Sequence, residues 1–469
     1  MPRVATREIA TVVAIQTAAL TLLASRYGFH RDELYFRAAG RRLDWGYVDQ
    51  PPLTPLLARL FAFGDAPFTL RIAATLLGAA ITLAAALIAR ELGGGRGAQV
   101  LAAGATALSG FVLALTHMLS TATVDMLLWM LVGLFMIRLL RTGDGRWWLA
   151  VGAAVGLALC NKWLVPLLVL AFGVALLAVG PRNVLRTWWL AGAVAVAALI
   201  AAPVVVWQAA HGFPLLTVAR GISEADGTQN RILFVPMQFL YLSPVLVPMW
   251  VAGLMALWRD RRFRAVVLAY PALCVVVLVL GGKPYYTVPL LVLLAAAGAA
   301  PTWRCARNHP AWASVAAVAG AVMSAVIALP VLPASALGPV LAVNPEQGEQ
   351  VAWRELTMSV AQAWRQAGPR SVIFTRNYGQ AGAVERYGPE FGLPQPYSGH
   401  MSYWDWGPPP DSADGNVVVI GTRHPIFTGC RVAVVHRAVI ENEEDGTEIA
   451  VCHPVVWSQA WPELRRFYD

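Results

Sequence analysis

Residues 121–141, TATVDMLLWMLVGLFMIRLLR, carry one carboxylate near the start, then a long run without charge, then two arginines at the end. No polar face appears at any helical spacing. A helix apolar all round is either buried or lipid-covered, and about 20 such residues span a bilayer core near 30 Å. The run is therefore read as a membrane span whose basic end, with Arg138, Arg141 and Arg146, faces the cytoplasm. Asp125 then lies about one turn inside the outer end.

The same reading repeats along the chain. Apolar segments at 9–26, 70–90, 98–118, 121–141, 147–160, 163–179, 187–207, 232–257, 264–281, 285–301 and 311–332 give about eleven spans. The Pro-broken segment 51–63 suits an interfacial helix better than a span. With the N-terminus inside, Arg90/Arg96, Arg182/Arg186, the cluster Arg259 to Arg264 and Arg304/Arg307 all fall in cytoplasmic turns. The longer loops 27–69 and 208–231 then lie outside, as does the region after an odd number of spans. No small-residue cleavage site follows the first apolar run, so that run is expected to stay as a span.

Composition agrees. Of 469 residues, 57% are hydrophobic and 13% charged, where a soluble domain carries about a quarter charged. The net charge of +9 comes from arginines clustered between apolar runs, so topology accounts for it and nucleic acid is not an expected partner. The five cysteines form no CxxC pair, which removes a zinc or redox signature.

The expected fold is an all-α polytopic membrane bundle over residues 1–339 with a small extracytoplasmic α/β domain over 340–469. In the latter the pattern predicts helices at 349–366 and 379–387 and strands at 371–375, 417–421 and 431–440. Cys430 and Cys452 both lie there, where either a disulfide or two free thiols would suit the sequence.

Candidate chemistry gathers at the outer face. The first outer loop holds Asp32 and Glu33, then Tyr47, Asp49 and Gln50 before paired prolines. A carboxylate at the membrane surface beside arginines can deprotonate a hydroxyl or ligate a cation; the bland alternative is a solvated loop capping a helix that begins near Leu34. Among 36 basic residues only Lys162 and Lys283 are lysine, and both sit at outer ends of spans. Lysine binds phosphate as a point charge, so the two are candidates for a phosphate, with Tyr285 and Tyr286 beside Lys283; snorkelling to the interface is the plain alternative. Asp125, an intramembrane carboxylate, is a functional candidate by type, against a first-turn acid favoured by the helix dipole. His211 and Arg231, in the second long outer loop, complete the set. Asp32, Glu33 and Asp125 are the candidate oxygen ligands for a divalent metal ion, whose use the sequence leaves open.

The pattern resembles the bacterial glycosyltransferase family 39 proteins, relatives of protein O-mannosyltransferases and of the aminoarabinose transferase acting on lipid A. The matching residues are Asp32-Glu33-Leu34-Tyr35, Trp45 to Leu53, Thr123-Val124-Asp125, Asn161-Lys162, Trp207-Gln208 with His211 to Pro214, and Gly281 to Tyr286. Asn377 to Ala383 and Ser398 to Trp404 match in the outer region. The resemblance implies the GT-C fold, a polyprenyl-phosphate sugar donor and inversion at the anomeric carbon. It also implies Asp32 as the acid that deprotonates the acceptor, a glycan, lipid or protein hydroxyl, and Asp125 as the second acid. One position departs: Gln50 stands where relatives often carry His or Lys, and supplies no charge. The expected place is the bacterial plasma membrane. A transporter or flippase of lipid-linked sugars is the reading from another class, but the paired halves with broken helices that many transporters show are not evident in the sequence.

Overall fold

The computed structural model describes residues 1–468. Each of the eleven expected apolar segments is helical. In chain order the first part comprises α1 (Thr6–Leu23), α2 (Arg31–Arg41), α3 (Leu53–Phe61), α4 (Pro67–Glu91), α5 (Arg96–Ala107), α6 (Gly110–His117), α7 (Thr121–Thr142) and α8 (Trp147–Leu159). There follow α9 (Val165–Val179), α10 (Trp188–Ala210), α11 (Pro214–Ala225), α12 (Gly227–Leu240), α13 (Val247–Arg259), α14 (Arg264–Leu280), α15 (Val288–Asn308) and α16 (Pro310–Ala328).

Six helices are long and apolar enough to cross a membrane, and eight spans result if each of two bent pairs counts as one. This is a multi-pass membrane protein. The bent pairs are the finding that sequence periodicity did not anticipate. α5 and α6 turn by 61° where Ser109 caps α6 by accepting from the Val112 amide. The α12 and α13 segments turn by 69° at Ser243, whose φ is +110°, just before Pro244. Apolarity alone cannot register such breaks, because the residues on both sides remain apolar. Three shorter apolar helices, α8, α9 and α14, complete the bundle.

One crossing is unusually close. A Cβ placed on Gly298 of α15 would lie 2.8 Å from the Gly253 amide nitrogen of α13. Only a residue without a side chain lets the two backbones approach that far.

The two long loops, 27–69 and 208–231, are not irregular. α2 and α3 occupy the first and α11 the second, and the segment expected at 51–63 is helical over Leu53–Phe61. After the short helix α17 (Gly338–Leu341), α18 (Trp353–Ala367) and α19 (Tyr378–Tyr387) pack with a five-stranded sheet. Its strands are β1 (Val372–Thr375), β2 (Pro396–Ser398), β3 (Val417–Ile420), β4 (Arg431–Val435) and β5 (Glu448–Cys452), in the order β2-β1-β3-β5-β4. β1 runs parallel to β2 and β3, while β5 is antiparallel to β3 and β4. β1 (VIFT) and β3 (VVVI) are buried throughout, as near-continuous apolar strands in the middle of a sheet are. β2 and β5 were not expected from sequence, and β4 ends five residues earlier than expected, at Val435. Cys430 and Cys452 form a disulfide.

α19 lies against α2, where a Cβ on Gly382 would come within 2.8 Å of the Leu34 Cβ. One hydrophobic cluster runs from Phe29, Leu34 and Tyr35 through Leu70 and Leu119 to Trp353, Leu356, Val384 and Ile420. The sheet-bearing region is thereby packed onto the loop between α1 and α4.

Candidate active site

The site begins at the first turn of α2. His30 caps that helix: its Nδ1 accepts from the Asp32 amide at 3.1 Å, and its own amide donates to Glu33 Oε2 at 2.9 Å. The helix therefore starts three residues before Leu34, at Arg31, and its capping residue is His30. Because a helix advances about 100° per residue, adjacent Asp32 and Glu33 face different surroundings.

Glu33 points inward and is fully buried. Its carboxylate accepts from Arg71 Nη2 at 2.9 Å, Arg71 Nε at 3.1 Å and the Leu119 amide at 3.1 Å, besides the His30 amide. Arg71, also buried, donates further to the carbonyls of Ala24 and Gly28 and to Gln350 Oε1. A carboxylate so enclosed and so fully bonded has no face left for a substrate or a metal. Glu33 is an anchor between α2, α4 and the region after α17, which corrects its expected place among catalytic and metal-binding residues.

Asp32 points outward. Its side chain is 33% accessible and accepts from the Tyr378 hydroxyl at 2.8 Å. Arg31 stands 3.9 Å from it and also contacts Glu349 at 3.6 Å and Glu443 at 2.8 Å. His30 Nε2 lies 3.0 Å from Glu346. Burial works against the charged imidazole, but the Glu346 bond and the nearby carboxylates raise the His30 pKa. The bond to His30, with the charges of Arg31 and Lys283, brings the exposed Glu346 carboxyl down to about 2. Glu349, whose burial outweighs Arg31, is pushed up to about 7. The Lys283 charge thus reaches the carboxylate that holds His30, one residue pair away from Asp32.

Asp49 forms the next part. It accepts from the Tyr35 hydroxyl at 2.6 Å. Burial pushes its pKa up to about 7, with the Tyr35 bond and Lys162 opposing and Asp32 adding to the rise. The segment after it docks onto the end of α8: the Leu53 amide donates to the Cys160 carbonyl, and Thr54 donates to Asn161 at 2.7 Å. That docking brings Asp49 into the field of Lys162. Gln50 is buried, and neither atom of its amide has a hydrogen-bond partner among the described residues. Tyr47 is structural, donating to the carbonyls of Ala39 and Arg42.

Lys162 lies 3.3 Å from the Tyr285 hydroxyl and stands 5.4 and 5.2 Å from the ring centres of Tyr285 and Tyr286. Asp125 is buried in α7, one oxygen lacking a hydrogen bond among the described residues, and sits within charge–charge range of Lys162. Asp49 and Asp125 thus lie within charge–charge range of Lys162, and Glu346 within that of Lys283.

Two further expected residues bond backbone carbonyls. Arg231 donates to the Leu278 and Val279 carbonyls at 3.0 and 3.1 Å, so its guanidinium closes the C-terminal end of α14. His211 stacks on Trp207 with ring centres 3.9 Å apart and bonds the Trp207 carbonyl through Nδ1. Its partners are those of a loop-bracing residue. Sequence reasoning missed His30 and Glu346 and the roles of Tyr35 and Tyr378. Tyr378 lay in a noted motif, but its partner is 346 residues away in the chain. As for a metal ion, no three His, Cys, Asp or Glu side chains converge suitably among the described residues. With Glu33 committed to Arg71, the expected ligand set does not fit one.

A family model described as dolichyl-phosphate-mannose-protein mannosyltransferase matches residues 49–207. No curated protein sequence matches the chain. Among solved structures, ArnT from Cupriavidus metallidurans in the apo state is similar at a TM-score of 0.62 and 14% identity, over 96% of this chain and 98% of that one. The same protein bound to undecaprenyl phosphate gives 0.61 and 16%, over 95% and 97%. The arabinofuranosyltransferase AftD from Mycobacteria gives 0.51 and 16%, over 96% of this chain and 40% of that one. The fold is that of the GT-C glycosyltransferases.

Proposed function

We propose that the chain is an integral-membrane glycosyltransferase that moves a sugar from a polyprenyl-phosphate donor to a hydroxyl acceptor at the outer face, with inversion. In this reading the acceptor oxygen attacks the anomeric carbon, its proton passes to Asp32, and the bond to the phosphate oxygen breaks with its electron pair leaving on the lipid phosphate. Charge grows on that phosphate as the bond lengthens, so fixed ammonium groups stabilise the transition state more than the ground state. Lys162 and Lys283 are the groups assigned to it. The observation that carries the proposal is a one-third accessible carboxylate, Asp32, held by the Tyr378 hydroxyl, in a chain whose Lys162 is set against the Tyr285 and Tyr286 rings. Tyr378 fixes the Asp32 carboxylate, and Asp125 and Asp49 set the charge balance around Lys162. The likeness to a structure holding undecaprenyl phosphate supports the donor class.

The outer location is part of the same proposal. The disulfide suits an oxidising exterior, which supports a reading with the region 340–469 beyond the outer leaflet and the N-terminus inside. Transfer from labelled polyprenyl-phosphate sugar in proteoliposomes tests the reaction. Wild type should transfer and Asp32→Asn should not; scrambling of the donor across the bilayer without bond cleavage would point to a flippase instead.

A further inference from the structure

The sheet has a feature that the reaction above leaves unused. Chain leaving β1 turns through α19 to β2 on one side, while chain leaving β3 moves to the opposite side, towards β4 and β5. The carboxyl ends of β1 and β3 therefore flank a topological switch point, the place where open α/β sheets hold their ligands. A cleft of about 870 Å³ lies there, lined among others by Asn377, Gln380, Thr422, Arg423, His424 and Glu443. Its size falls within the roughly 300–1,000 Å³ usual for small-molecule sites. At its base the buried Glu444 carboxylate accepts from Gln380 at 2.7 Å, Asn377 at 3.4 Å and Thr447 at 3.2 Å.

Two covalent or ionic steps join this cleft to Asp32. Asn377 is followed directly by Tyr378, which donates to Asp32. Glu443 pairs with Arg31, which flanks Asp32. What occupies the cleft must suit its chemistry. Glu443, Glu444, Asp445 and Glu448 outnumber the arginines there, which disfavours a phosphorylated ligand. Amide, carboxylate, guanidinium and hydroxyl groups side by side are instead the donors and acceptors that vicinal hydroxyls take.

We infer that this cleft binds the neutral saccharide portion of the acceptor and so presents one of its hydroxyls to Asp32. The inference rests on the transferase reading for the role of Asp32, whereas binding itself can be measured without turnover.

The test uses the full chain in nanodiscs carrying Asp32→Asn, so that nothing is consumed. The probe is the neutral oligosaccharide fraction released from the envelope of cells lacking this chain, followed by saturation-transfer NMR. Asp32→Asn alone should bind it. Adding Thr422→Trp, a half-buried loop position, should weaken binding at least tenfold, and adding Thr422→Ser should leave it unchanged. As a second readout in folded protein, the saccharides should slow maleimide modification of Thr422→Cys. No binding to the Asp32→Asn protein, or equal binding with Thr422→Trp and no protection of Thr422→Cys, overturns the inference. Binding lost with Thr422→Trp in a chain that transfers no sugar would instead sink the reaction and keep the cleft.

Discussion

Asp32 and Glu33 are neighbours in sequence and opposites in structure, and exchanging each for its amide separates them. Glu33→Gln keeps the size of the side chain but turns an amide NH₂ towards groups that all donate: Arg71, the His30 amide and the Leu119 amide. Arg71 is 1% exposed, so its charge is left without a buried counter-ion. Breaking such a pair costs about 3–5 kcal/mol, a large share of the roughly 5–15 kcal/mol that holds a domain folded. Asp32→Asn retains an oxygen for the Tyr378 hydroxyl, and its partly accessible side chain should cost under about 1 kcal/mol. Its loss as a base should cost about 10²–10⁴ in turnover. Tryptophan-fluorescence melting in detergent, alongside transfer per folded molecule, reads both. The expected result is a large fall in melting temperature for Glu33→Gln and a dead but stable Asp32→Asn. If Glu33→Gln melts with wild type, or Asp32→Asn transfers at full rate, the division of labour is wrong.

Three further outcomes follow from the site and the bundle. Folded Asp49 holds a proton at pH values where the unfolded chain has released it, because its pKa rises from 3.8 to about 7. Stability from this group is therefore lost as pH climbs from about 4 to 7, by up to about 4 kcal/mol. Asp49→Asn should gain on wild type in melting temperature over that range and hold a constant lead above it; a lead that shrinks with rising pH would refute the shift. Lys162→Met should weaken undecaprenyl-phosphate binding at least tenfold in a fluorescence titration, with Lys162→Arg restoring little, because the ammonium sits as a point charge over two rings; full affinity in the Met variant would remove its phosphate role. The exposed Cys305, near the basic end of α15, should react with an impermeant maleimide only after cells are opened, and labelling of intact cells would invert the proposed topology.

The architecture was legible where one physical demand acts locally. Lipid asks for about 20 apolar residues at a stretch, and every such stretch is helical here. Lys162, Asp125 and the first outer loop stood out because a charge next to an apolar run is costly unless it has a use. What the sequence could not display is which partner each group meets. Nothing near Glu33 announces Arg71, and Glu346 reaches His30 across 316 positions of chain. Arg231 looked like a substrate group because its target, the end of α14, is a backbone rather than a side chain. The short strands β2 and β5 escaped for another reason: three to five residues beside Pro and Gly carry too little alternation to read.

The near contact of Gly253 and Gly298 acts as a fulcrum. Lys283, Tyr285 and Tyr286 ride just ahead of α15, whose first residue, Val288, is roughly 15 Å from Gly298 at 1.5 Å per residue. A methyl group inserted at Gly298 would lever the rod away from α13, and the displacement would grow towards the tyrosine-bearing tip. A change deep in the hydrocarbon, touching no substrate, would thus be felt where Lys162 rests.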